Sequence, residues 1–551
     1  MFVNDDVDVV RPVGTLAKFN TARHSLGLMR AVVVTGRYNV SPAHLEQKAS
    51  SASLQSVIEI AVSRVVLGQP MLRVGIAGED TKGPAFVHLK AIDMRSAIEW
   101  KELGSNQRKS RIVNEEEEEA VYTDELMRSL EQTHQSLWEG LTQKPGWKII
   151  VHHSSQVPVA SIKQNGVSSS GSGSISLDIS FCFHHAYADG TSGYIFHADL
   201  QRALNGHLHS PPELQNHILH LPDPPEIPPA MENLIHFSLS WTYILRTIWA
   251  EIVYPNCIPA FIKTLAGEQQ PDMQWTGALI DASHARGHIR LIEIADGNRI
   301  ESLLALCRAH GVTVTALLHA LIAVSLARRL PDPRSLKSSI PISLANYADT
   351  KAAGTTFTPG KTMHCLITSL TTEHVSNLSV RYQSLKSMAS DIRTVQSLRT
   401  EDADTAIWNF AITMTARIRA RTTTLPRDDI QGLSGLVGDW HEFFRKNFGK
   451  PRDISWELSN LGSLSADDTG TEEGWWLDRV IFSQGVLACG PAFSVNVSGV
   501  SRHGICATVT WQDGIVDDEL MEGLVSDLQN WSLRLSDTGH IGKYELDAIS
   551  C

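Results

Sequence analysis

The stretch Ile175-Ser176-Leu177-Asp178-Ile179-Ser180-Phe181-Cys182-Phe183-His184-His185-Ala186-Tyr187-Ala188-Asp189-Gly190 decides the reading of this chain. Ile175, Leu177, Ile179, Phe181 and Phe183 alternate with Ser176, Asp178, Ser180 and Cys182. That period of two predicts a strand with one buried face and one less buried face. An amphipathic run from Gly193 to Leu204 follows and predicts a helix. Two histidines and an aspartate therefore share a tight turn, closed by Gly190, at the exit of a buried strand. A histidine held there in one rotamer, partly shielded from water and facing a cavity, meets the conditions for a general base.

Outward from this stretch, Ala31–Thr35, Gln69–Ile76 and Trp147–Val151 read as strands. Residues 54–67 form a helix with Leu54, Val57, Ile58, Ala61 and Val65 on one face and Gly68 as its stop. Thr123 caps a helix to Leu141. Residues 101–119, a basic cluster followed by Glu115–Glu119, read as a solvated insertion or a helix start. Gln164–Ser174 is Gly/Ser-rich and reads as a hairpin tip. Residues 207–232 hold several prolines and suit a linker. Leu234–Tyr254 is long and apolar, but Arg246 and Glu251 argue against a membrane span. We expect this helix to pack between lobes, with peripheral contact at a membrane surface as the second reading.

In the second half, strands are expected at Arg290–Ile294, Ser338–Leu344, 363–369, Ile454–Leu458, Arg479–Ser483, Phe493–Val500 and Ile505–Trp511. Helices are expected up to His310-Gly311, from Thr313 to Arg329, over 373–398 and 403–421, and from Asp517 to Leu533. Strands and helices mix without strict βαβ alternation, which predicts an α+β chain of two lobes. The divisions are 1–206 for the lobe carrying the histidines, 207–277 for a linker and interlobe helix, and 278–551 for the C-terminal lobe.

The 551 residues, 42% hydrophobic and 20% charged, suffice for two sizeable cores. A net charge of −12, with no basic cluster interleaved with aromatics, argues against a nucleic-acid partner. Cys182, Cys257, Cys307, Cys365, Cys489, Cys506 and Cys551 are scattered and odd in number, with no metal-ligand spacing. A reduced, intracellular protein without a metal site is the expectation. Met1–Val10 carries three Asp and no basic residue, unlike a signal or transit peptide, so the expected location is cytoplasmic.

His-x-x-x-Asp alone is common by chance. Here a second His, an Asp four residues later, a Gly, a strand before and a helix after coincide. His152-His153 is an internal control: it also follows a strand, but position 157 is Val157 and no Asp-Gly follows. Those two read as structural. Gly354–Thr362 misses a phosphate loop by one residue and contains Pro359. There is no GxSxG, His441-Glu442 lacks the second His of a zinc protease helix, and His319 reads as a core histidine.

His184–Gly190 resembles the HHxxxDG (HxxxD) signature of acyl-CoA-dependent acyltransferases with a chloramphenicol-acetyltransferase-like fold. That superfamily includes plant hydroxyl acyltransferases, peptide-synthetase condensation domains and fungal alcohol acetyltransferases. Further stretches are similar to the last group: RPVGTLAKFNTARHSLGL from Arg11, QPMLRVGI from Gln69, DGTSGYIFHADLQRAL from Asp189, HGVTVTALLHALIAVSLAR from His310, SWELSNLGSL from Ser455 and WQDGIVDDELMEGL from Trp511. They span nearly the whole chain. The DFGWG stretch of the plant branch is missing, as are carrier-protein and adenylation domains.

The resemblance implies two lobes, each a mixed sheet with flanking helices, around an interlobe tunnel with the histidine midway. His185 would be the general base and Asp189 the support of its turn, facing an arginine for which Arg23 and Arg73 are candidates. His184 and Gly190 would shape the turn. Ser459 and Asn460 match the segment that faces the histidine and are candidate oxyanion donors; a plain polar turn after a strand is the alternative. Cys182 should point away. The implied reaction is O-acylation, acetylation first, of a small alcohol or secondary metabolite by acetyl-CoA or another acyl-CoA. No covalent acyl-enzyme and no tightly bound cofactor are expected, and the fold can act as a monomer. An N-acyltransferase or condensation-like enzyme with a carrier-bound donor, and a non-catalytic binding protein, are the alternatives.

Overall fold

The alternating run forms the strand Ile175–Phe183, the central member of a five-stranded sheet in the computed structural model. The structure describes residues 8–42, 44–45, 53–104, 114–155, 157, 174–207, 214–248, 274–281, 286–330, 335–355, 357–375, 398, 402–465, 471 and 473–542. Strand order in this sheet is Trp475–Gln484, Val32–Val40, Ile175–Phe183, Trp147–Ser154, Ile98–Leu103. A central strand has neighbours on both edges and layers on both faces, so every residue from Leu177 to Phe183 is buried, not one face only. On one face the Phe181 ring stacks on Phe196 of the helix Gly190–Leu204, centroids 4.2 Å apart. On the other face Cys182 joins an apolar cluster with Leu126 and Leu130 of the helix Glu115–Gln135. Asp178 is buried there too, and Arg37 (3.1 Å) and Arg479 (3.3 Å) compensate its charge.

The second sheet has six strands, in the order Gly287–Asp296, Gly504–Gln512, Phe493–Val500, Trp456–Leu464, Ser335–Ser343, Ile367–Val375. Two of its pairings are parallel, so the sheet is mixed. The helix Val314–Arg329 is buried at every position from Ala316 to Ala327, as expected for a helix that is apolar all round and sits in a core. The helices Ala403–Thr424 and Asp518–Thr538 pack against it.

A boundary at residue 278 does not separate the two sheets. Trp475–Gln484 leaves the second half and pairs antiparallel with Val32–Val40 in the first. In return, Glu131 of the helix Glu115–Gln135 accepts a hydrogen bond from the Ile289 amide of the second sheet, 2.9 Å. Each lobe is thus completed by a piece of the other.

Several expected elements differ. Gln69–Ile76 is a 3₁₀ turn, Pro70–Arg73, leading into a short strand, Val74–Ala77; Pro70 has no N–H to give a ladder. The helix expected from Thr123 starts at Glu115, capped by Asn114, and ends at Gln135. The acidic run forms its first turn, where negative charge suits the helix dipole. The strand expected at 363–369 runs instead from Ile367 to Val375, and the helix expected over 373–398 has residues 376–397 outside the described residues. The basic cluster at 105–113 and the hairpin tip up to 173 also lie outside them.

Within Leu234–Tyr254 the structure describes a helix at Trp241–Ile248; residues 249–254 lie outside. It is not packed between lobes: Trp241 is 77% and Leu245 63% exposed. Among the described residues, no single helix is long and apolar enough to cross a membrane.

Candidate active site

After Phe183 the chain turns through His184–Asp189 into the helix Gly190–Leu204. The His184 amide donates to Gly146 O (2.8 Å) and the Tyr187 amide to His184 O (3.1 Å). Two glycines let the turn seat itself. A Cβ at Gly146 would lie 2.3 Å from the Tyr187 ring, and one at Gly190 would lie 2.4 Å from Leu461 of the second lobe. The glycine of the motif is therefore one of the points where the two lobes touch.

Asp189 is the N-cap of the motif helix. Its Oδ1 accepts from the Ser192 amide (2.9 Å), and Ser192 Oγ completes a capping box. Its Oδ2 accepts from the Leu366 amide at 3.1 Å, across the lobe boundary. No arginine contacts it among the described residues. The expected arginine partner is thus replaced by two backbone amides and a hydroxyl. Arg73 ends the 3₁₀ turn with its buried Nε unpaired, and Arg23 lies elsewhere in the cavity. Burial raises the Asp189 carboxyl.

Behind the turn lies a His–Glu–His cluster, with both rings buried and Glu79 half-buried. Glu79 Oε1 lies 2.7 Å from His184 Nε2 and 2.8 Å from His24 Nδ1. The opposite nitrogens fix the tautomers. His184 Nδ1 accepts from the Ala186 amide (2.9 Å), and His24 Nε2 accepts from the Trp138 amide (3.1 Å). Both nitrogens facing Glu79 therefore carry hydrogens and donate to it. Three such groups could surround a cation, but with both lone pairs already used by amides the arrangement is a clamp on a carboxylate. Burial opposes the Glu79 charge, yet hydrogen bonds from His184 and His24 prevail and hold its carboxyl down at about 2. Burial lowers His184, consistent with a neutral ring.

His185 points the other way. Its Nδ1 donates to Ala188 O at 2.9 Å, which leaves the Nε2 lone pair free. Its backbone carbonyl is held by Asn20 Nδ2 at 3.2 Å, and Cys365 Sγ lies 3.8 Å from Nδ1. Burial first, and the Arg23 guanidinium second, lower the imidazole to about 4. The ring lines a cavity of about 330 Å³ with walls from both lobes, including Arg23, Phe482, Glu457 and Ser459.

Ser459 and Asn460 both line this cavity, but within the strand Trp456–Leu464, not in a turn after it. Register with Phe493–Val500 slips between Asn460 and Ser463, and the strand bulges as it meets Gly190. Asn460 is engaged: Nδ2 donates to Thr315 Oγ1 (3.0 Å) and Oδ1 accepts from the Gly462 amide (2.8 Å). Ser459 Oγ accepts from Gln484 Nε2 at 3.3 Å, which leaves its own O–H to donate.

The remaining sequence candidates are structural. His152 is fully buried and bonded to Ser129 Oγ (2.9 Å). His319 Nδ1 accepts from Trp456 Nε1 (3.0 Å), while its Nε2 is unpaired. Cys182 points away from the turn, and burial pushes its thiol up to about 12. Sequence reasoning missed Glu79, His24, Gln484 and Cys365. No local pattern marks them, because each gains its place only through tertiary contact.

The two-lobe arrangement, with a histidine turn on the cavity between lobes, is the fold of the chloramphenicol-acetyltransferase-like and condensation-domain acyltransferases. The solved TRI3 trichothecene 15-O-acetyltransferase of Fusarium sporotrichioides shares it, with a TM-score of 0.57 at 12% identity over 94% of each chain. The family model described as alcohol acetyltransferase matches residues 88–348. The probable alcohol acetyltransferase FCK4 of Fusarium pseudograminearum is 30% identical over 543 residues, covering 97% of both chains. The probable alcohol acetyltransferase crmB of Aspergillus fumigatus is 23% identical over 518 residues, 92% of this chain and 96% of that protein. The chain belongs to the alcohol acetyltransferase family, and it is an acyltransferase.

Proposed function

We propose that the protein transfers an acetyl group from acetyl-CoA to a hydroxyl of a small alcohol or secondary metabolite, with His185 as general base. The observation that carries this reading is the His185 geometry: Nδ1–H is committed to Ala188 O, and the opposite nitrogen is left free in a ring that lines the interlobe cavity. In the reaction, Nε2 takes the proton of the acceptor hydroxyl as its oxygen attacks the thioester carbonyl. The tetrahedral oxyanion accepts a hydrogen bond from the Ser459 hydroxyl. Its collapse breaks the C–S bond, and Nε2 gives the proton to the leaving CoA sulfur, which restores the neutral ring. An ester and free CoA result, with no acyl group placed on the protein.

Asp189 acts through the turn. Its cap aims the helix, and its bond to Leu366 fixes the cavity walls against each other. The acyl-CoA is a co-substrate in this scheme. The protein works in the cytoplasm, and Trp241, Leu245 and Ile248 are the side chains that would meet a membrane surface. The test is incubation with acetyl-CoA and a panel of alcohols, reading thiol release and the mass of the ester. Release of CoA without ester, or use of carrier-bound acetyl groups only, would overturn it.

A further inference from the structure

Two charged side chains line the His185 cavity without a role in the chemistry above. Arg23, on the helix Thr15–Ser25, is half-buried and lines the cavity. Its guanidinium sits over the Phe19 ring at 4.9 Å. Its polar contact is Nη1 to Asn20 Oδ1 at 3.5 Å, the outer limit of a hydrogen bond. Glu457, on the strand Trp456–Leu464, faces the same cavity from the other lobe. It accepts from Ser339 Oγ at 3.2 Å, and Ser339 in turn lies 2.7 Å from Ser369 Oγ.

Among the described residues no ion pair joins Arg23 to Glu457, although each feels the other's charge. A half-buried guanidinium with most of its five N–H groups free of protein partners calls for an acceptor in the cavity it lines. The facing carboxyl offers the complementary acceptor. A group lying between them must accept from Arg23 and donate to Glu457. A hydroxyl is the small neutral group that does both.

Resting on the reading of His185 as the base of an alcohol acyltransferase, we propose that the acceptor is a polyhydroxylated molecule whose second hydroxyl is held between Arg23 and Glu457. That hydroxyl orients the acceptor so that a different hydroxyl meets His185 Nε2. A site built to hydrogen-bond a substrate hydroxyl rejects the analogue lacking it, because its own buried groups are then left unpaired. The acceptor class is therefore a diol or polyol on an apolar frame, not a simple apolar alcohol.

The test uses three probes with the same primary hydroxyl: cyclohexylmethanol, its 4-methoxy analogue and 4-(hydroxymethyl)cyclohexanol. We expect kcat/KM with acetyl-CoA to be about tenfold or more higher for the diol than for cyclohexylmethanol, with the methoxy compound, which accepts but cannot donate, well below the diol. In Arg23→Met and Glu457→Leu the diol-to-monool ratio falls toward one. A wild-type ratio near one overturns the proposal without any variant being needed. So does a ratio unchanged in a folded Arg23→Met, or a rise in the KM of acetyl-CoA with the ratio intact, which would give Arg23 to the donor. Calorimetric binding of the same probes to wild type and to His185→Ala separates this claim from the base assignment. If His185→Ala remains active, the base reading fails while the probe ratio still reports on Arg23 and Glu457. If no probe is turned over, preferential binding of the diol supports the proposal and equal binding overturns it.

Discussion

Replacing Glu79 by Gln probes the clamp that holds the histidine turn from behind. The carboxylate accepts N–H bonds from neutral His184 (2.7 Å) and His24 (2.8 Å). Both rings donate to the same oxygen, Oε1, so a Gln oxygen in its place can still accept both, but as a neutral acceptor instead of a charged one. A hydrogen bond to a charged group contributes about 1.5–3 kcal/mol and one to a neutral group about 0.5–1.5, so exchanging two of them is expected to cost roughly 2–3 kcal/mol. Proton linkage leads to the same size independently. A carboxyl held at about 2 against an ordinary 4.5 is a shift of roughly 2.5 units, or ~3 kcal/mol at 1.36 kcal/mol per unit.

The sign follows from the lowered pKa. The contribution is fully present above the unfolded value near 4.5 and is lost as pH falls toward 2. Urea unfolding of wild type and Glu79→Gln should differ by about 3 kcal/mol at pH 7, and the gap should shrink by roughly 1 kcal/mol at pH 4. A difference under 1 kcal/mol, or one that does not change between pH 7 and pH 4, would refute the reasoning. Because both rings turn an N–H toward Glu79, added zinc should not shift the melting temperature. A zinc-dependent rise would show the cluster to be a metal site.

Two other expectations follow from the turn. With His185 lowered to about 4, the base form persists into mild acid. The rate constant kcat/KM at pH 5.5 should stay close to its value at pH 7.5, whereas a histidine at its ordinary value near 6.5 would lose roughly tenfold; a tenfold fall in the pH profile contradicts the assigned environment. Asp189→Ala removes an N-cap and strands the Leu366 amide, so urea unfolding should register a loss of about 2–4 kcal/mol. A loss under 0.5 kcal/mol would mean that Asp189 does not staple the lobes.

The motif was legible in the sequence because its parts are local. A period-2 strand, a turn and an amphipathic helix lie within thirty residues, and the capping aspartate is part of the same run. What remained hidden was long-range. Asp189 has the composition of a residue awaiting an arginine, yet its partner is the amide of Leu366, and a backbone donor leaves no mark in sequence. Glu79 and His24 look like ordinary surface residues until a turn and a helix from distant segments bring them to His184. The strand Trp475–Gln484 was recognisable as a strand, but its crossing into the first lobe depends on an open edge beside Val32–Val40. The apolar residues of Trp241–Ile248 suggest an interlobe helix because such residues usually mark burial; here Trp241, Leu245 and Ile248 face solvent.

The central claim is that His185 Nε2 carries the proton from acceptor to leaving thiolate. The direct measurement is steady-state acetyl transfer by His185→Ala beside wild type, with thermal unfolding of both. General base catalysis is worth about 10²–10⁴-fold, so kcat should fall by at least roughly a hundredfold while the melting temperature is nearly unchanged. Turnover within about threefold of wild type in a folded His185→Ala would contradict the account.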